Sequence, residues 1–232
     1  MNHLIKSIFA MGIFSFLALG KGFAQSHDFA DFGRYEKMNA EIRQSAKSQK
    51  RVVFLGNSIT DNWAEMRPEF FTSNDYIGRG ISGQTSYQFL LRFREDVVKL
   101  HPDLVIINAG TNDIAENTGS YVEEHTFGNI LSMVDIARAN GIQVILTSVL
   151  PAARFGWNEK VTDGPAKIQA LNKRLERYAK ENKLRYVDYY SALVDKDGIT
   201  LRKDYSEDGV HPTHQGYEVM EKIIKKAIRR TL

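Results

Sequence analysis

Ser58, Gly83, Asn112, Asp208 and His211 are the residues whose types and spacing could do chemistry. A serine hydroxyl is a weak nucleophile until a base takes its proton. An imidazole titrates in the useful range, and a carboxylate can hold it in one tautomer and stabilise its charged form. Asp208 and His211 are three positions apart, so one short loop can present both. Acyl transfer also needs donors for the oxyanion. The backbone N–H groups of Ser58 and Gly83 and the side-chain amide of Asn112 are sources, because glycine lets the backbone approach closely. Each residue alone has a plainer reading. Ser58 could cap a helix after a strand. Asn112 could sit in a turn and Asp113 could cap the next segment. His211, before Pro212, could be a loop histidine, and Asp208 a solvated charge. The set, rather than any one member, points to catalysis.

These residues must be positioned by regular elements, and the apolar pattern supplies them. Val52–Leu55 is a short, wholly apolar run ended by Gly56, the pattern of a strand buried on both faces. Further short strands are expected around Tyr76–Ile77 and at Leu104–Ile107, Val144–Leu146 and Tyr186–Val187. Phe29, Phe32, Tyr35, Met38, Ile42 and Ala46 recur at helical spacing and predict a helix over Asp31–Lys50. Helical stripes also run through Phe127–Ala137, Ile168–Tyr178 and Tyr217–Ala227. Strands alternating with helices predict a parallel sheet in a three-layer α/β/α sandwich with right-handed connections. In such sheets sites form beyond the carboxyl ends of the strands. There lie Gly56-Asn57-Ser58-Ile59-Thr60, the segment from Gly78 to Thr85, Asn108-Ala109-Gly110-Thr111-Asn112-Asp113, and Asp208-Gly209-Val210-His211-Pro212.

Those four ordered segments are where the chain resembles the SGNH hydrolases, also called the GDSL family, from about Arg51 to the C-terminus. The resemblance implies a flavodoxin-like, five-stranded parallel sheet of order 2-1-3-4-5. It further implies Ser58 as nucleophile, His211 as base, Asp208 as its orienting partner, and Ser58, Gly83 and Asn112 as the oxyanion hole. Asn57 stands where the family's name-giving motif has Asp, which touches local loop contacts and leaves the three catalytic positions intact.

The N-terminus reads as a leader. Lys6 is followed by an apolar run from Ile8 to Leu19, and Gly22-Phe23-Ala24 places small residues at −3 and −1 of a cut before Gln25. The run is short for a membrane span, which needs about 20 residues. We therefore expect a signal peptide over residues 1–24, a hydrolase domain over 25–232, and a periplasmic or extracellular destination without stable membrane insertion. The chain has no cysteine, which removes thiol catalysis, disulfides and a lipid anchor through cysteine. Its net charge of +3 includes Lys6 and Lys21 of the leader. The basic residues Lys225, Lys226, Arg229 and Arg230 fit the solvated side of a terminal helix, so nucleic acid is not an expected partner.

Other chemistries have partial support. Gly78, Gly80 and Gly83 spell G-x-G-x-x-G, but after the second strand, and the next strand ends at Asn108 rather than an acidic residue. Asp208, His211 and His214 could chelate zinc, but Pro212 disfavours a continuous helix there and His214 reads as a helix-start residue, so neither metal nor cofactor is expected. For substrate contacts the sequence offers Trp63, close after Ser58, and Arg154, Phe155 and Trp157 in the loop after the fourth strand. The expected substrate is a small ester or an acetylated carbohydrate. The alternatives are a lysophospholipase or platelet-activating-factor-acetylhydrolase-like lipid esterase, and a glycan-binding module without catalysis.

Overall fold

The computed structural model describes residues 28–45 and 50–232. The leader expected over residues 1–24 lies outside them. Five strands, β1 (Val52–Gly56), β2 (Tyr76–Gly80), β3 (Leu104–Ile107), β4 (Gln143–Thr147) and β5 (Arg185–Val187), form one sheet of order β2-β1-β3-β4-β5. Every pairing is parallel, with Val52 beside both Tyr76 and Leu104. The expected order and three-layer architecture hold.

Helix α1 (Glu36–Gln44) precedes the strands; α2 (Ser58–Met66), α3 (Pro68–Thr72), α4 (Ser86–Asp96), α5 (Thr111–Ile114), α6 (Glu123–Ala139) and α7 (Gly164–Glu181) lie between them, and α8 (Tyr190–Leu193) and α9 (His214–Arg229) follow. Strand residues alternate between two cores because successive side chains point to opposite faces. Val53, Leu55, Val105, Ile107, Val144 and Leu146 meet Phe89 and Phe93 of α4, Met133 and Val134 of α6, and Leu171 and Leu175 of α7. On the other face Val52, Phe54, Leu104, Ile106 and Ile145 meet Ile59 and Trp63 of α2, Phe70 and Phe71 of α3, and Tyr217, Met220 and Ile224 of α9. No helix among the described residues is long and apolar enough to cross a membrane.

Three expectations are corrected. The helix expected over Asp31–Lys50 is a 3₁₀ turn at Phe32–Tyr35 followed by α1. Asp31, at φ 53°, is left-handed and bars extension backward, while Ser45 turns extended and ends the helix. Its apolar stripe faces the core only in part: Tyr35 is buried and Ile42 packs on the core, while Phe29, Phe32 and Met38 are exposed and Asn39 is buried. Asn39 faces inward because it accepts from Arg79 and donates to Asp96. The second strand is longer than Tyr76–Ile77, since glycine and arginine, not apolar residues, form its far half. Helix α4 is absent from the apolar-spacing reading. Its sequence signal is the Thr85-x-x-Gln88 capping box, which the structure forms in both directions.

The glycines of the G-x-G-x-x-G pattern are explained by packing. A Cβ on Gly80 would stand 2.2 Å from the Asp61 backbone nitrogen and 2.6 Å from the Thr60 carbonyl carbon. A Cβ on Gly78 would meet the Ala64 Cβ at 2.9 Å. These glycines let α2 lie against β2, which places the start of α2 at the sheet edge. Gly80→Ala must therefore push α2 away. We expect it to cost about 1–3 kcal/mol, the range for overpacking a dense core, read as a lower urea midpoint at unchanged slope.

Candidate active site

The site grows from the turn that ends β1. Asn57 caps α2, its Oδ1 accepting from the Ile59 N–H at 3.0 Å, so Ser58 is the first helical residue and not the cap. The asparagine in the name-giving position of the motif thus has a local task that its amide oxygen performs. As the first residue of α2, Ser58 has an N–H with no intrahelical acceptor.

The partner loop comes from the other end of the chain. Ser206 and Pro212 form an isolated antiparallel bridge that closes the loop, and Gly209 turns it at φ 81°. Asp208 Oδ1 accepts from the backbone N–H groups of His211 at 2.8 Å and Val210 at 2.9 Å. Its Oδ2 lies 2.6 Å from His211 Nδ1. His211 Nε2 lies 2.8 Å from Ser58 Oγ. Helix α9 follows at once, capped by Thr213, with His214 as its first residue. Buried Tyr217 donates from its hydroxyl to the Ile59 carbonyl at 2.8 Å, fastening the helix after His211 to the helix that begins at Ser58.

Electrostatics fix the direction of these bonds. Burial raises the Asp208 carboxyl, but the hydrogen bonds from His211 and Val210 and the nearby imidazole outweigh it and hold the group down at about 2. An ionised carboxylate can only accept. His211 Nδ1 therefore carries the ring proton, and Nε2 is left to accept from the Ser58 hydroxyl. This is the arrangement that activates a serine.

The loops that carry the expected oxyanion donors are joined to one another by hydrogen bonds, Ile81 N–H to the Gly56 carbonyl and Asn112 to the Gln84 carbonyl. Gly110, at φ 122°, is a position for glycine, since a Cβ there would meet Leu171 and Val149 side chains at 2.8 Å. The turn it makes leads into α5, which carries Asn112. Asn112 is buried and spends one amide hydrogen on the Gln84 carbonyl at 2.9 Å, leaving the second for a ligand. The Gly83 N–H donates to no acceptor among the described residues. Asp113 does cap a helix, though not one that follows it in the chain: it meets the start of α4. Its carboxylate accepts from the Ser86 N–H at 3.0 Å, from the Ser86 hydroxyl at 2.5 Å and from Thr126 at 3.2 Å, tying the Asn112 turn to the start of α4. Burial pushes the Asp113 carboxyl up, and these donors work against that.

The four expected substrate residues divide. Trp63 is core: it is 2% exposed and stacks on Phe70 and Tyr217. It lies four residues after Ile59, so both face the sheet. Phe155 is fully buried beneath Gly164 and next to Trp157. Arg154 is exposed, and no contact joins it to the triad among the described residues. Trp157 alone stands at the site. It is 48% exposed, and its ring centre is 6.3 Å from that of His211. Asn117, which sequence reasoning missed, holds it there: Trp157 Nε1 donates to Asn117 Oδ1 at 2.8 Å, and Asn117 Nδ2 donates to the Gly83 carbonyl at 3.0 Å. Nothing in its sequence neighbourhood marks Asn117. An open groove of about 610 Å³ reaches His211 and Asp208 and is lined also by Asn62, Met66, Lys203, Glu207 and His214.

The sequence model of the GDSL-like Lipase/Acylhydrolase family matches residues 54–219, which run from β1 into α9 and include every residue of this site. The chain belongs to that family. A crystal structure of a GDSL-like lipase from Bacteroides thetaiotaomicron is 58% identical, with a TM-score of 0.86 over 88% of this chain and 100% of that one. A candidate acylhydrolase from Bacteroides fragilis is 59% identical, with the same TM-score over 88% of this chain and 98% of that one. An acetylxylan esterase of Xylanibacter ruminicola is 25% identical over 77% of this chain and 43% of its own length. The chain thus spans less than half of that esterase.

The Asp208 carboxyl makes a testable electrostatic statement. Its folded value, about 2, lies below the ordinary 3.8, so its contribution to stability is complete above 3.8 and is lost as pH falls toward 2. Urea melts of wild type and Asp208→Asn should therefore converge as pH is lowered through that window. A difference that stays constant there would contradict the assignment.

Proposed function

We propose that this chain is an exported serine carboxylic ester hydrolase that removes short acyl groups, chiefly acetyl, from carbohydrates. The observation that carries the reading is the continuous chain from Asp208 through His211 to Ser58, at 2.6 and 2.8 Å, beside donors left without acceptors. Family membership supports the ester bond as the target. Export rests on the leader pattern of residues 6–24.

In this mechanism Ser58 Oγ attacks the ester carbonyl carbon while His211 Nε2 takes its proton. The tetrahedral oxyanion is met by the Ser58 and Gly83 N–H groups and the free Asn112 amide hydrogen. Such donors act most strongly when they are fixed before the charge develops. His211, stabilised as a cation by Asp208, then protonates the leaving alcohol. Water enters, gives its proton to His211, and attacks the acyl-enzyme, releasing the acid and free Ser58.

One feature of the site supports a sugar rather than a lipid as the alcohol. Trp157 presents a fixed, half-exposed aromatic face beside His211, of the kind that stacks on a sugar ring. The acetylxylan esterase relative acts, by its name, on an acetylated polysaccharide.

The direct test is hydrolysis of p-nitrophenyl acetate, butyrate and octanoate, and acetate release from acetylated xylo-oligosaccharides, by wild type and Ser58→Ala. Acetate should be the best p-nitrophenyl ester and Ser58→Ala inactive. Faster turnover of octanoate would favour a lipid substrate. An inactive wild type would leave a glycan-binding module. Trp157→Ala is expected to raise KM for the acetylated sugar about fivefold to tenfold more than KM for p-nitrophenyl acetate, the size of one lost aromatic contact of about 1 kcal/mol. Equal effects on both substrates would remove Trp157 from sugar binding.

A further inference from the structure

Behind the oxyanion loop lies a charged cluster that the mechanism above does not use. Arg92 of α4 is 0% exposed, and Asp96, one turn further on, is nearly so. Burying a guanidinium is costly unless its donors are engaged, and here four of its five N–H groups are. Nη1 donates to Asp96 Oδ2 at 2.8 Å. Nε donates to Gln84 Oε1 at 2.6 Å. Nη2 is shared at 3.0 Å between the carbonyls of Gly56 and Arg79, the last turns of β1 and β2. Asp96 in turn accepts from Asn39, and Asn39 Oδ1 accepts twice from Arg79. Burial lowers the Arg92 guanidinium from its ordinary range, and Asp96 opposes that.

The endpoints of this fork are informative. Gly56 is two residues before Ser58. Gln84 follows Gly83 directly, and its backbone carbonyl is the acceptor that orients the Asn112 amide. The three sources of oxyanion donors lie on three different segments, after β1, after β2 and after β3, and no backbone pairing joins Gly83 to Asn112. A single planar, five-donor side chain can set the distances among such segments in a way that a lysine ammonium cannot.

Resting on the ester-hydrolase reading above, we propose that Arg92 is the positioning residue of the oxyanion hole. It fixes the Ser58 turn through the Gly56 carbonyl, and the Gly83 and Asn112 donors through Gln84. It touches no reacting atom. Its effect is therefore on the alignment of donors with the transition state, where misplacement by about 1 Å can cost on the order of a hundredfold.

The test is Arg92→Lys, which keeps the charge and loses the fork. Active sites are counted with a fluorophosphonate that labels Ser58, so that unfolded molecules drop out of the rate. Turnover of p-nitrophenyl acetate per labelled site should fall at least about tenfold with KM changed less than about twofold, and affinity for a boronic acid that forms a tetrahedral adduct should fall in parallel. A per-site turnover within about twofold of wild type, with only the melting temperature lowered, would make Arg92 a stability residue and overturn the proposal. If Arg92→Lys does not fold, Gln84→Met, which leaves Arg92 and its carbonyl bonds in place, decides by the same readout. A wild-type rate per site in Gln84→Met overturns the proposal. The underlying reading has its own arm: wild type that neither turns over esters nor is labelled at Ser58 refutes the esterase assignment, and the proposal with it.

Discussion

In a parallel sheet covered on both faces, each backbone polar group buried at the strand ends must find a partner inside the protein. That requirement builds this site. The Leu55 carbonyl accepts from the Asn108 N–H at 3.0 Å, and the Val187 carbonyl from the Ser148 N–H at 2.9 Å. The Gly56 carbonyl accepts from the Ile81 N–H at 3.1 Å as well as from Arg92. Each bond pulls a loop down onto the strand end beside it. The loops that carry Ser58, Gly83 and Asn112 are held by the same pairing that the sheet would need if it did no chemistry.

The two halves of the site are stabilised by different physics. The oxyanion side is dry: Gln84, Arg92, Asn112 and Asp113 are all buried, and the bonds among their loops are strong because little water competes for them. The Asp208 side is open. Its carboxylate is 53% exposed and His211 26%, so a Coulomb term there is screened. What holds Asp208 is geometry, with Oδ1 taking backbone N–H groups of the same short loop while Oδ2 takes the imidazole. Three residues of spacing suffice because the loop grips its own carboxylate. In the proposed reaction, rigidity is concentrated where developing charge would be met, and solvent is admitted where the alcohol would leave and water would enter.

Much of this was legible in the chain. Strands β1, β3 and β4 declare themselves as apolar runs because a sheet buried on both faces has no polar side. Asp208 and His211 are legible only within the ordered set with Ser58, Gly83 and Asn112, since alone they read equally well as a solvated charge and a loop histidine. The edge strand was only half visible, since Gly78 and Gly80 serve the approach of α2 and Arg79 serves the buried cluster. Helix α4 escaped for a related reason. Its inward face carries Arg92 and Asp96 beside Phe89 and Phe93, so the apolar period is broken where the polar network enters. Sequence patterns report burial through hydrophobicity, and a buried ion pair defeats them.

The two tryptophans show why proximity in sequence is a poor guide to substrate contact. Trp63 is five residues from Ser58, yet α2 turns it onto the sheet, where it fills the aromatic core with Phe54, Phe70 and Tyr217. Trp157 is 54 residues before His211 and reaches it because Phe155, two positions earlier, is buried and anchors the loop. The buried neighbour provides the leverage, and the indole bond to Asn117 fixes the ring's orientation. Asn117 also donates to the Gly83 carbonyl, so the aromatic face and the Gly83 loop are set by one side chain. A sugar seated on Trp157 would therefore be registered against the same loop that meets the charge on its departing acyl group.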